Sequence, residues 1–123
     1  MPVVIRGEVV RGNRLGRKLG FPTANVLPGA LPAAEDGVYV AKVRLAEECY
    51  RGVANLGVRP SVAGGGERVL EVHIFDFSGD LYGCQIEVEL LQRLRGERRF
   101  ATTAELRSQI EHDAAQAEKY FKQ

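Results

Sequence analysis

Val69-Leu70-Glu71-Val72-His73-Ile74-Phe75-Asp76-Phe77, then the turn Ser78-Gly79-Asp80 and Leu81-Tyr82-Gly83, then Cys84-Gln85-Ile86-Glu87-Val88-Glu89-Leu90, is the stretch that decides the fold. Successive side chains of a strand point to opposite sides. Leu70, Val72 and Ile74 therefore share one face, and Glu71, His73, Phe75 and Phe77 share the other. Ile86, Val88 and Leu90 alternate with Glu87 and Glu89 in the same way, so both runs read as half-buried strands. We expect strands over Val69 to Phe77 and Ile86 to Leu94. The connection between them is short and polar, which suits antiparallel pairing.

Working outward, Val3 to Val10, Val38 to Leu45 and Tyr50 to Val58 are further strand candidates, the last two joined by Ala46-Glu47-Glu48. Pro22 and Pro28 bracket Thr23-Ala24-Asn25-Val26. Residues 28–37 hold Pro28, Gly29, Pro32 and Gly37 and read as a connecting loop, as does Gly64-Gly65-Gly66. Toward the C-terminus the period changes. Leu106, Ile110, Ala114, Ala117 and Phe121 are spaced by four, four, three and four, one face of an α-helix. Thr102 and Glu105 have capping-box spacing at its start. The fold class is mainly β: five or six antiparallel strands and one C-terminal helix, in one domain over residues 1–123. Closing the strands into a barrel removes their exposed edges, and the helix can cover one opening.

Composition narrows the function. The 123 residues are 45% hydrophobic and 27% charged, an ordinary globular balance. A net charge of +1 argues against nucleic acid as a partner, since duplex binders carry a large basic excess. Arg11, Arg14, Arg17 and Lys18 nevertheless cluster, as do Arg93, Arg95, Arg98 and Arg99. Local positive clusters on a near-neutral chain suit a small anion. Cys49 and Cys84 form no C-x-x-C pair and read as reduced thiols. No apolar run approaches the roughly 20 residues that span a bilayer. A cytoplasmic protein with no membrane partner is expected.

Several segments could carry chemistry. Gly12, Gly16 and Gly20, with Arg14, Arg17 and Lys18 among them, make a basic glycine-rich loop whose amides could approach phosphate, or a mobile surface loop. The Walker spacing is absent. In Gly20-Phe21-Pro22-Thr23-Ala24-Asn25, an extended chain places Thr23 and Asn25 on one side, each with a neutral oxygen. Mg²⁺ takes such oxygens together with substrate phosphates. A simple turn with Thr and Asn bonded to the backbone is the alternative. Glu71, beside aromatic residues, could be a general base or an exposed strand position, and His73 reads as structural. Leu94 to Phe100 is either a charged connector or a segment whose arginines reach a phosphate or an aromatic ring.

Taken together, G-x-V-V-x-G, L-G-x-x-L-G-F-P-T-A-N, D-G-V-Y, G-V-A-N-L-G-x-R-P, L-E-V-H-I-F-D-F-x-G-D-L-Y-G and L-R-x-E-x-x-F resemble the riboflavin kinase (flavokinase) family, from about Gly7 to the C-terminal helix. The resemblance implies a six-stranded antiparallel Greek-key β-barrel that binds riboflavin and Mg²⁺-ATP and releases FMN and ADP. Thr23 and Asn25 match its magnesium ligands, and Glu71 its catalytic base. Gly12, Arg17, Lys18 and Gly20 match the loop around the ATP phosphates. Thr23, Ile74, Asp76 and Tyr82 match positions near the nucleotide. Val88, Arg95, Glu97 and Arg98 match flavin positions. Ser61 stands where Thr is frequent, and Cys84 where Lys is common.

In bacteria such a module is usually joined to an N-terminal FMN adenylyltransferase. The H-x-G-H signature of that activity is missing here, so FAD synthesis is not expected of this chain, and an adenylyltransferase domain is a candidate missing neighbour. A monomer is expected. The segments Arg11 to Gly20 and Arg95 to Phe100 are expected to be loose without ligands. The rival of another class is a flavin-binding barrel without catalysis, which would have no use for Thr23, Asn25 and Glu71 together. A nucleic-acid-binding barrel is disfavoured by the charge.

Overall fold

The computed structural model describes residues 3–10, 23–28, 34–60, 66–77 and 79–122. Among the described residues there are six strands: β1 (Val3–Val10), β2 (Ala24–Pro28), β3 (Gly37–Leu45), β4 (Glu48–Pro60), β5 (Gly66–Ile74) and β6 (Gln85–Arg95). One helix follows, α1 (Thr103–Phe121). The strands close into a barrel in the order β1-β2-β5-β4-β3-β6, and every pair is antiparallel. β3, β4 and β5 form a meander, β6 returns to lie beside β3, and β2 lies beside β5. This is Greek-key connectivity.

Alternation builds the core. In β1, Ile5 and Val9 point inward while Arg6 and Glu8 are exposed. Val26, Tyr39, Ala41, Val43, Ala54, Leu56, Leu70, Val72, Ile74, Ile86, Val88 and Leu90 complete the interior. On the outside of the β1–β6 pair, Arg6 sits opposite Glu87, with Nε 3.3 Å from its carboxylate. Both groups are partly solvated, so the pair adds little stability.

Strand limits differ from expectation where backbone geometry intervenes. β5 ends at Ile74 rather than Phe77, because residues 75–76 turn and Asp76 adopts a φ of +55°. At its other end β5 begins at Gly66, inside the glycine run expected to be loop. β4 extends past the expected Tyr50 to Val58 at both ends, and the turn before it centres on Ala46 and Glu47. The bracketed Thr23 to Val26 segment contributes a full barrel strand from Ala24.

The helix is not a plug in the barrel mouth. Val38 and Val40 alternate out of the barrel core, yet are 2% and 0% exposed. α1 covers them, packing on the outer surface of β3 and β4. Each buried valine contributes about 1.5–2 kcal/mol to that contact. Ala117, fully buried, lets the helix approach closely. Arg51 of β4 stacks 5.1 Å from the Phe121 ring centroid at the far end of α1. The helix start follows expectation: the Glu105 amide donates to Thr102 Oγ1 at 3.1 Å. The Glu105 carboxylate reaches back one residue further than in a capping box, accepting from the Ala101 amide at 3.0 Å.

Candidate active site

Three neighbouring strands set three oxygen-bearing side chains abreast. Asn25 of β2 is registered opposite Glu71 of β5, and Glu71 is opposite Asn55 of β4. Their chain neighbours Val26, Leu70, Val72, Ala54 and Leu56 all point into the core. By alternation the row Asn25–Glu71–Asn55 faces outward. That outer surface is overhung by α1 and the segment leading into it, and a cavity of about 400 Å³ lies between. Its strand wall carries Thr23, Val53, Asn55, Glu71 and His73. Phe100, Leu106, Ile110 and Ala114 form an apolar wall opposite, and Glu97, Arg98 and Arg99 add charge. The size suits a small molecule or cofactor, and the mixture of an apolar wall with a few polar groups is what such sites use.

A network between β6 and α1 holds the segment from 95 to 100 in place. Arg95 donates from Nη2 to Asp113 Oδ2 at 2.8 Å and from Nε to Asp113 Oδ1 at 3.0 Å. Gln109 Nε2 donates to Asp113 Oδ1 at 2.9 Å, and Arg98 Nη1 donates to Gln109 Oε1 at 2.9 Å. Asp113 is only 4% exposed, so its charge is held by these donors rather than by water. The Arg98 and Arg95 guanidinium carbons lie 5.4 and 5.9 Å from the Phe100 ring centroid. The segment expected to be loose is thus tied to the helix. A second set of contacts secures residues 34–36: Arg68 Nε donates to Asp36 Oδ1 at 2.9 Å, and Arg93 Nη2 donates to Asp36 O at 2.7 Å.

The structure brings together part of the expected site. Thr23, Glu71, Arg95, Glu97 and Arg98 line the cavity, and Asn25, 9% exposed, stands next to Glu71. Arg95 offers a committed guanidinium, its fork being engaged by Asp113. Val88 does not reach the cavity: it is 0% exposed inside the barrel. Ile74 is also in the core, Asp76 is exposed in the turn after β5, and Tyr82 is 53% exposed; none of the three lines this cavity. Gly12, Arg17, Lys18, Gly20 and Ser61 lie outside the described residues. Among those described, no cluster of three or more His, Cys, Asp or Glu could hold a metal. No described helix is long and apolar enough to cross a membrane.

His73, read from sequence as structural, lines the cavity, and its ring meets Phe75 edge-on at 5.4 Å. Two other residues gained importance only here. Asn55 had a legible signal: it alternates with Ala54 and Leu56, on the face shared with Val53. Asp113 falls three residues after Ile110 and four before Ala117, a carboxylate on the apolar stripe of the helix.

A barrel with a polyfunctional cavity on its flank, one wall strand and one wall helix, defines a small-molecule-binding class, and comparison makes it particular. A family model described as riboflavin kinase (flavokinase) matches residues 1–121. The bifunctional riboflavin kinase/FMN adenylyltransferase of Haemophilus influenzae is 45% identical over 121 residues, covering 98% of this chain and 39% of that protein. A Streptococcus pneumoniae crystal structure described as a macrolide-efflux protein is 39% identical with a TM-score of 0.80, over 91% of this chain and 37% of that one. The riboflavin kinase of Trypanosoma brucei, 21% identical, shares the fold with a TM-score of 0.66, over 99% of this chain and 81% of that one. The chain belongs to the riboflavin kinase family, whose members use ATP, and it spans about two fifths of the length of the Haemophilus relative.

Proposed function

We propose that this chain transfers the γ-phosphate of ATP to the 5′-hydroxyl of riboflavin, giving FMN and ADP. The observation that carries this is the placement of Glu71 and Thr23 in one cavity whose facing wall is apolar and aromatic. A flat flavin ring fits between the strands and the wall of Phe100, Leu106 and Ile110. A polyol chain can then reach the polar row. We assign Glu97, Arg98 and Arg99, which line the cavity, to the flavin edge.

Glu71 serves as the base. The hydroxyl oxygen bonds to the γ-phosphorus, the bond from that phosphorus to the bridging oxygen of ADP breaks, and the hydroxyl proton passes to the Glu71 carboxylate. In a loose phosphoryl-transfer transition state the proton leaves late, so little is demanded of the group that accepts it. Asn25 of β2 is registered beside Glu71, and Thr23, two residues earlier, lines the same cavity as Glu71. Their neutral oxygens are the donor type that Mg²⁺ accepts when phosphates bring the negative charge. We assign them as its holders. A bound Mg²⁺ would neutralise phosphate charge there. The apolar helix wall keeps water from that side of the acceptor, which limits loss of phosphate to hydrolysis.

The test is direct. The protein is incubated with riboflavin and Mg²⁺-ATP, and the products are separated by chromatography. FMN and ADP in equal amounts are expected. Riboflavin recovered unchanged, from protein that is folded by circular dichroism, would overturn the proposal.

A further inference from the structure

Asn55 Oδ1 is a buried side-chain oxygen with no hydrogen-bond partner, the one such atom among the described residues. Native folds pair nearly all buried polar atoms, because an unpaired acceptor gives up its water for nothing. Asn55 is also not at an arbitrary place. It lines the cavity and is registered opposite Glu71 across the β4–β5 ladder. Residues opposite each other on one face of an antiparallel pair have Cβ atoms about 4.5–5.5 Å apart. An acceptor at that spacing from the base reaches the next hydroxyl along a polyol, not the one that reacts. The terminal torsion of an asparagine is broad, so the amide can turn toward the cavity at small cost. On the other flank of Glu71, Asn25 takes the corresponding place in β2.

We infer that Asn55 is a substrate-holding residue that accepts a hydrogen bond from the secondary hydroxyl adjacent to the reacting one, laying the polyol chain across Asn55 and Glu71. This rests on the kinase function proposed above. It makes Asn55 a determinant of specificity for polyol-bearing acceptors. A site that hydrogen-bonds a hydroxyl discriminates against the analogue lacking it, because the protein group is then left unpaired.

Asn55→Leu, nearly isosteric, and Asn55→Ala are compared with the unaltered protein in two measurements. The first is steady-state phosphorylation of riboflavin and of its analogue lacking the hydroxyl adjacent to the terminal one. The second is thermal unfolding without ligand. Both variants should lose about tenfold in kcat/KM for riboflavin, the worth of one neutral hydrogen bond. The KM for ATP should stay unchanged. The unaltered protein should prefer riboflavin to the deoxy analogue by a similar factor, and the variants should show no preference. Asn55→Leu should unfold no lower than the unaltered protein, since it removes an unpaired acceptor rather than a contact. Retained preference in the variants would overturn the assignment. So would lowered unfolding temperature with preference intact, which marks a structural role. If the unaltered protein makes FMN but treats both acceptors alike, the role of Asn55 fails alone. If it phosphorylates neither, the kinase proposal fails and takes this one with it.

Discussion

Replacing Asp113 by Ala removes the acceptor that holds Arg95, Gln109 and, through Gln109, Arg98. The Asp113 side chain is 6% exposed and that of Arg95 is 20% exposed. Taking one partner from a buried ion pair costs about 3–5 kcal/mol, chiefly because the other charge stays without compensation. Arg95 keeps some contact with solvent and its bond from Nη1 to Gly96 O at 3.1 Å, so the lower end, about 3 kcal/mol, applies. An unfolding entropy of about 2.1 cal/mol/K per residue over 123 residues converts this to a fall in Tm of about 12 °C. Scanning calorimetry measures it. Asp113→Asn keeps an acceptor for part of the network and should fall between. The double variant Asp113→Leu/Arg95→Met removes both charges together and should recover most of the loss. The KM for riboflavin should rise in Asp113→Ala more than the KM for ATP, since the loosened segment carries Glu97, Arg98 and Phe100 of the cavity wall. A Tm within about 4 °C of the unaltered protein, or about 1 kcal/mol, would refute the view that this pair ties the helix to the barrel.

Other outcomes follow from the same geometry. Glu71→Gln should fold as the unaltered protein does and lose about 10²–10⁴-fold in turnover, the usual effect of removing a positioned base; near-normal turnover in a coupled ADP assay would exclude Glu71 from that role. Thr23→Ala and Asn25→Ala should weaken Mg²⁺-dependent nucleotide binding by calorimetric titration while riboflavin still binds alone; unchanged titrations in both would remove them from the metal site. Gly52→Ala should destabilise by about 1–3 kcal/mol in urea unfolding, because a Cβ there would collide with the His73 carbonyl oxygen and force β4 and β5 apart beside the cavity. Unaltered urea stability would show that this close approach is not needed.

Short-range pattern carried much of this architecture. The period-two runs of β5 and β6, the strand-like composition of β1, β3 and β4 and the shift to a helical period after Thr102 are local properties, and each survives in the structure within a few residues. The family motifs, equally local, singled out Thr23, Asn25 and Glu71 as candidates, and the structure sets Thr23 and Glu71 in one cavity with Asn25 next to Glu71. Placement across strands was a different matter. That Asn25, Glu71 and Asn55 stand abreast depends on the register of two ladders joining residues far apart in the chain. Valines 38 and 40 show the same limit. Alternation marks them as the outer face of β3, and only the docking of α1 explains why that face is apolar and buried. Asp113 looks from sequence like a polar interruption in an apolar stripe. The bidentate grip of Arg95, 18 residues away, turns it into the anchor of a cavity wall. Val88, a motif position matched to the flavin, lies inside the barrel through the pleat of β6. Local periodicity records which face of an element is apolar, whereas the partner of that face is set by long-range packing, which one chain's spacing does not encode.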